Sequence, residues 1–222
     1  MSDARDQQAK FRRQQPLPIR FVHWCNALFI VLMAGSGLQI LTAYPYLGPR
    51  GALYRWYPLQ GVAPPSWLTV GGWLAGGRHW HFAIAWFFVL NGLVYLAYLF
   101  ASGEWRRRTF IPARDAAPAV AQFLYYARLR KSPPPAGFYN GLQRLAYSSI
   151  IIIGVAMTLS GLAIYKPVQL HFLTMLFGGY DGARVVHLAG LALIALFVAT
   201  HLVLVALHPR EILAMITGGK RE

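Results

Sequence analysis

The chain has 222 residues, enough for one domain, and carries 21 basic against 7 acidic side chains for a formal net charge of +14. A charge of that size would fit nucleic acid, but 56% of the residues are apolar, only 13% are charged, and the charges sit between long uncharged runs. Nucleic acid is therefore excluded as the expected partner, and the single Cys25 excludes an internal disulfide.

In chain order, a polar N-terminal tail over residues 1–18 leads into the uncharged run Phe21 to Pro45. Further uncharged runs cover His79 to Gly103, Leu145 to Tyr165 and Val185 to Pro209. About 20 apolar residues in a helix span the hydrocarbon core, so each run predicts one crossing. The expected helices are 19–41, 80–101, 145–165 and 185–207, within a membrane domain over 19–210. The first apolar run is too long for the core of a removable signal and is expected to be a retained helix.

The loop 42–79 is rich in Gly, Pro and aromatic residues, among them Tyr44, Tyr46, Tyr54, Trp56, Tyr57, Trp67 and Trp73. Such rings suit the headgroup level, as a membrane-hugging loop or a platform for an external partner. In the segment 102–143, Asp115 is placed to cap a helix over Ala116–Lys131. Val120, Phe123, Leu124 and Ala127 recur there at helical spacing, which predicts a helix lying on the membrane, stopped by Pro133, Pro134 and Pro135. A short tail covers 211–222.

The basic residues give the orientation. Five precede the first span, eight lie between the second and third, and three follow the fourth, so 16 of 21 fall on one side. The positive-inside rule makes that side cytoplasmic, with both termini inside. Surplus charge there also suits anionic lipid. The fold class expected is an all-α membrane protein: a bundle of four transmembrane helices with an interfacial cytoplasmic helix.

Each span opens on Arg with His or Tyr three residues later: Arg20/His23, Arg78/His81, Arg144/Tyr147 and Arg184/His187. The first and third also share Ser-Gly-Leu, at Ser36-Gly37-Leu38 and Ser160-Gly161-Leu162. The pattern reads as a duplicated helical hairpin. Helix direction then assigns depth. His81 and His187 fall near the outer face, His23 and His201 near the inner one. His187 and His201 share a helix face roughly 21 Å apart along the axis.

Imidazoles inside a membrane span are costly and commonly functional. Two facing imidazoles suffice as axial ligands of a haem, whereas zinc needs four ligands, or three and water. The absence of a Cys-x-x-Cys-His run rules out covalent attachment. The expected cofactors are two b haems, with His23, His81, His187 and His201 as iron ligands. Arg20 and Arg144 are assigned to the propionates of the inner haem, Arg78 and Arg184 to those of the outer. Gly37 and Gly161 are assigned to close approach of a flat macrocycle. His79 points away from His81 and is the alternative ligand. His171 lies in an external loop, and His208 at the end of the last span.

At these residues the chain resembles the bacterial cytochrome b561 and nickel-iron-hydrogenase b-type cytochrome family. The matching stretches are Arg20-Phe-Val-His-Trp-Cys-Asn-Ala, Gly35-Ser-Gly-Leu-Gln-Ile, the helix from His81 to Leu96, Tyr139-Asn-Gly-Leu-Gln-Arg-Leu-Ala-Tyr, and the His187/His201 helix. It is most similar to cytochrome b subunits of thiosulfate reductases, formate dehydrogenases and related molybdenum enzymes. The resemblance implies a four-helix core with two b haems in the bacterial inner (plasma) membrane. It also implies exchange with membrane quinone and a periplasmic oxidoreductase partner, which a molybdenum enzyme would fit. Candidate quinone contacts are Arg20, Asn26, Tyr147 and His208. Competing readings are a free-standing haem enzyme acting on a small external reductant, and a haem-free transporter or assembly subunit whose histidines carry protons.

Overall fold

The structure is a computed structural model that describes residues 15–207 other than Ala136 and Phe138, together with residues 210–218. Among the described residues there is no strand. The helices are α1 (Leu17–Ala43), α2 (Leu74–Ala101), α3 (Trp105–Arg108), α4 (Pro112–Tyr126), α5 (Gly141–Tyr165), α6 (His171–Leu176), α7 (Tyr180–Leu207) and α8 (Arg210–Thr217), with a short 3-10 turn at Ser66–Leu68.

Helices α1, α2, α5 and α7 have 25 to 28 residues and the hydropathy of membrane spans. At about 1.5 Å per residue each exceeds the ~30 Å hydrocarbon core. Their large apolar side chains face outward: Phe21, Trp86, Ile152 and Leu196 are each about two-thirds exposed. In water such surface would be a liability, whereas in lipid it meets its own kind. The helices begin at 17, 74, 141 and 180, ahead of the expected 19, 80, 145 and 185. The extra turns of α2, α5 and α7 hold Arg78, Arg144, Asp181 and Arg184. Hydropathy excludes such residues from a span, yet helical hydrogen bonding continues through them.

The chain divides into two compact units, and each long helix contributes to both. The first comprises Val22–Val94 and Ile153–Ile194. Here α6 packs on α5 and α7 through Leu173, Ala163 and Ala183. The loop after α1 is stitched by one side chain. Gln60 accepts from the Leu47 amide (2.8 Å) and donates to the carbonyls of Leu47 and Tyr54 (2.8 and 2.9 Å). Arg184 ties the same loop to α7, donating to the Tyr46 carbonyl at 2.6 Å. Close approach of α1 and α2 depends on Gly77, where an added Cβ would lie 2.8 Å from the Gln39 side chain. Asn91 then joins the two helices from within: its amide donates to the Val22 carbonyl (3.0 Å) and to Asn26 Oδ1 (2.9 Å).

The second unit comprises the chain up to Phe21, Tyr95–Ile152 and the chain from Ala195 on. Helix α4 starts at Pro112, where proline loses nothing by lacking an amide proton. Asp115 therefore lies inside the first turn and not ahead of it. Its carboxylate still serves the helix start, accepting from the Ile111 amide at 2.8 Å. The helix ends at Tyr126, before the prolines expected to stop it. Arg128 takes a left-handed φ of 61°, and the Leu129 amide reaches back to the Leu124 carbonyl at 2.8 Å, closing a Schellman turn. Val120 and Phe123 are both 59% exposed while Asp115, Ala119 and Gln122 are buried. This apolar-out pattern suits a helix lying on a bilayer.

Candidate functional site

Two hydroxyl–imidazole pairs define the site, both in the first unit. On α1, Ser36 is fully buried and donates its hydroxyl proton to the Leu32 carbonyl one turn back (2.6 Å). Its oxygen lies 3.1 Å from Nδ1 of His81 on α2. On α5, Ser160 is likewise fully buried, donates to the Ala156 carbonyl at 2.7 Å, and lies 3.0 Å from Nδ1 of His187 on α7. The Met33 carbonyl is a second neighbour of His81 Nδ1, at 3.2 Å, and the Met157 carbonyl plays that part for His187.

These contacts fix the tautomer. A carbonyl only accepts, and each serine has spent its proton on its own helix. Nδ1 must therefore carry the ring proton, which leaves the Nε2 lone pair of both rings for an electrophile or a metal. In the sequence these serines stand out only as part of the shared Ser-Gly-Leu. In the structure the serines are the partners that orient the histidines.

The glycine after each serine has a definite use. A Cβ on Gly37 would stand 3.2 Å from Cε1 of His81, and one on Gly161 3.2 Å from Cε1 of His187. In both places the imidazole edge is the near neighbour of the glycine. Ser-Gly on one helix receives the histidine of the next, and the arrangement occurs twice.

The centres of the His81 and His187 rings are 6.2 Å apart, with their planes at 68°. An imidazole nitrogen binds a first-row metal at about 2.0 Å and lies about 1.1 Å from its ring centre, so two rings on opposite sides of one iron have centres about 6.2 Å apart. The pair therefore fits a six-coordinate haem iron. Among the described residues no group of three or more His, Cys, Asp and Glu could hold a bare metal ion.

His79 is brought elsewhere. It is exposed and lines a crevice of about 520 Å³ with Trp73, Arg78, Phe82 and Tyr165. His23 is half-buried on α1; His201 is half-buried on α7 and stacks on Phe197, ring centres 6.0 Å apart. His171 is exposed at the start of α6, and His208 lies outside the described residues.

The four arginines differ. Arg20 Nε donates to the Met215 carbonyl at 3.2 Å and its Nη2 to the Ile216 carbonyl, so it closes the end of α8. Arg184 is shared by Asp181, the Tyr46 carbonyl and the Tyr44 ring. Arg144 binds Asp115 at 2.5 Å and the Tyr139 carbonyl at 2.8 Å, but its buried Nε has no acceptor among the described residues. Arg78 lies over the Phe82 ring, 5.7 Å from its centre, and among the described residues meets no carboxylate or carbonyl. Of the residues assigned to quinone, Asn26 accepts from Asn91, and the Tyr147 ring meets Tyr139 edge-on at 5.1 Å.

Reasoning from sequence missed the ionic cluster of the second unit. Asp115, 1% exposed, receives Arg114 and Arg144. The Arg114 hydrogen bonds first, then the Ile111 amide and Arg144, outweigh burial and hold its carboxyl well below the usual carboxylate range. Buried Arg108 donates to Glu104 (2.7 Å), the Tyr139 hydroxyl (2.9 Å) and Gln15 (3.2 Å). A cue was present: acidic residues are so few that each one near a basic segment is a candidate partner.

The model of the prokaryotic cytochrome b561 family matches residues 14–218. A protein of Azospira oryzae named putative protein-methionine-sulfoxide reductase subunit YedZ1 is 37% identical over 201 residues, covering 90% of this chain and 93% of the relative. No solved structure matches.

Proposed function

The chain belongs to the prokaryotic cytochrome b561 family and is a membrane b-type cytochrome; on that premise we propose that it holds two b haems and passes electrons from membrane quinol to an oxidoreductase at the outer face. The observation that carries this reading is the His81–His187 pair, two imidazoles from different helices at the 6.2 Å separation that one iron requires.

Haem bound by two histidines supplies a one-electron couple with no open position for oxygen. The chain's residues hold and orient it. His81 and His187 would hold the outer haem, each presenting Nε2 because Nδ1 is committed to serine. By the helix direction and spacing read from the sequence, His23 and His201 would hold the inner haem. Arg78, one helical turn before His81 and without an acceptor of its own, suits an outer propionate. The unsatisfied Nε of Arg144 suits an inner one. Arg20 and Arg184 act as structural ties. Tyr147, with Asn26 and His208 as further contacts, is the quinone-side assignment.

The relative's printed name supports a partner class, a protein-methionine-sulfoxide reductase. The stoichiometry agrees. Quinol yields two electrons and two protons, and reduction of a sulfoxide to thioether and water consumes two of each.

Purification in mild detergent tests the proposal. The expected result is reduced b-type absorption bands, about two haems per chain by pyridine haemochrome, and a co-purifying oxidoreductase whose metal content reports whether it is a molybdenum enzyme. Protein that stays colourless when supplied with haem would overturn it.

A further inference from the structure

We propose that Ser36 and Ser160 are matched positioning residues for the iron ligands: each fixes its histidine's tautomer and ring plane and tunes the potential of the metal those rings hold. The inference rests on the haem reading of the His81–His187 pair and deepens it.

Each contact is a directed chain of two hydrogen bonds. The ring Nδ1–H donates to serine Oγ, at 3.1 Å for His81 and 3.0 Å for His187. The serine hydroxyl in turn donates to the carbonyl four residues back, at 2.6 Å from Ser36 and 2.7 Å from Ser160. Donating its proton increases the acceptor's pull on the ring, and hydrogen bonds in series polarise one another. An imidazole held this way is a stronger donor through Nε2, and a stronger donor favours ferric over ferrous iron.

Geometry adds a second constraint. The adjacent glycine lets the ring edge approach its helix, so serine grips one side of the imidazole while the helix surface limits its rotation. Both rings are gripped, and their planes stand at 68°. The serines are fully buried and water cannot replace them. A serine buried only for packing would need no partner on the next helix, and it would not recur in both hairpins with the same histidine nitrogen.

Ser36→Ala and Ser160→Ala test this, each removing one oxygen. Redox titration followed optically and low-temperature EPR of the ferric protein are the readouts. The expected result is haem content equal to the parent, with one of two haems shifted to higher potential in each variant. At fixed ambient potential its ferrous-to-ferric ratio rises 3- to 10-fold, the upper limit corresponding to 59 mV for one electron. The low-spin EPR signal of that haem moves, and the other haem titrates as before. Ser36→Thr, which keeps the hydroxyl, restores the parent values. If Ser36→Ala loses a haem, restoration by Ser36→Thr supports the inference and failure to restore counts against it. Alanine variants that titrate and resonate like a coloured parent overturn it while leaving the haem reading intact. A colourless parent overturns the haem reading, and this inference with it.

Discussion

The two compact units are held together by opposite means. The unit built from Val22–Val94 and Ile153–Ile194 relies mainly on neutral contacts, serine to histidine, asparagine to carbonyl and glutamine to backbone, with one ion pair, Arg184–Asp181, at the start of α7. The unit built around Tyr95–Ile152 uses formal charge, with Asp115 and Glu104 as hubs for Arg114, Arg144, Arg107 and Arg108. The same opening motif, Arg then His or Tyr three residues later, takes different partners in each. Duplication is therefore legible at the His81–His187 site and overwritten in the ionic unit. Neutral partners on the two imidazoles suit rings proposed to hold a group that changes charge by one electron, because a fixed charge on the rings themselves would favour one redox state. Fixed ion pairs suit a segment that anchors helix ends near water.

The largest expected effect lies in the neutral unit. On the proposed assignment, His187→Ala should lower haem from about two to about one per chain, as should His81→Ala, while His79→Ala keeps both. Full haem content in both ligand variants would break the assignment of chemistry to that unit. Next comes the ionic hub. Asp115→Asn leaves Arg144 without its counter-charge, at a cost of about 3 kcal/mol, read as a lower melting temperature with the haem spectrum unchanged. The pH dependence has a definite sign. Asp115 is shifted below the usual carboxylate range, so its contribution is full above that range and is lost as pH falls toward the lowered value. The parent should lose stability on acidification, and the Asn variant should lose less.

The difference between the units also explains what the sequence revealed. Long uncharged runs name the four spans because the bilayer excludes charge, and helix direction alone put His81 and His187 at one depth. Helix starts were misplaced because Arg78 and Arg184 end a hydropathy run without ending a helix. The serine contacts were out of reach, since Ser36 and His81 stand 45 residues apart and nothing local says that one meets the other. That Gly37 and Gly161 also adjoin an imidazole was out of reach for the same reason. Spacing shows that a helix face has room, while the element packed on it decides what fills that room. In the ionic unit, partners such as Gln15 and Arg108 are too distant in sequence for any periodicity to join them.

Two smaller effects sharpen the comparison inside the neutral unit. Asn91→Ala removes both of its bonds between α1 and α2. Interhelical hydrogen bonds in membranes are worth about 0.6 kcal/mol on average and about 1.7 at most, so a loss near 1 kcal/mol is expected in a detergent melt. A loss above 3 kcal/mol would show that the neutral contacts are as stiff as the ion pairs.

The smallest effect separates packing from positioning. Gly154 and Gly161 lie on the same helix, two turns apart, but an added Cβ meets nothing within 4 Å at Gly154 and His187 Cε1 at 3.2 Å at Gly161. Alanine at 154 is therefore free to gain up to about 1 kcal/mol of helix propensity and to leave the spectrum unchanged. Alanine at 161 gains the same propensity, spends part of it moving the imidazole by a few tenths of an ångström, and should end near the parent's stability. Its signature should be spectroscopic: a moved low-spin EPR signal with haem content unchanged. Identical spectra for the two variants would mean that the ring next to Gly161 is loosely held and that the neutral unit positions its ligands less tightly than the hydrogen bonds require.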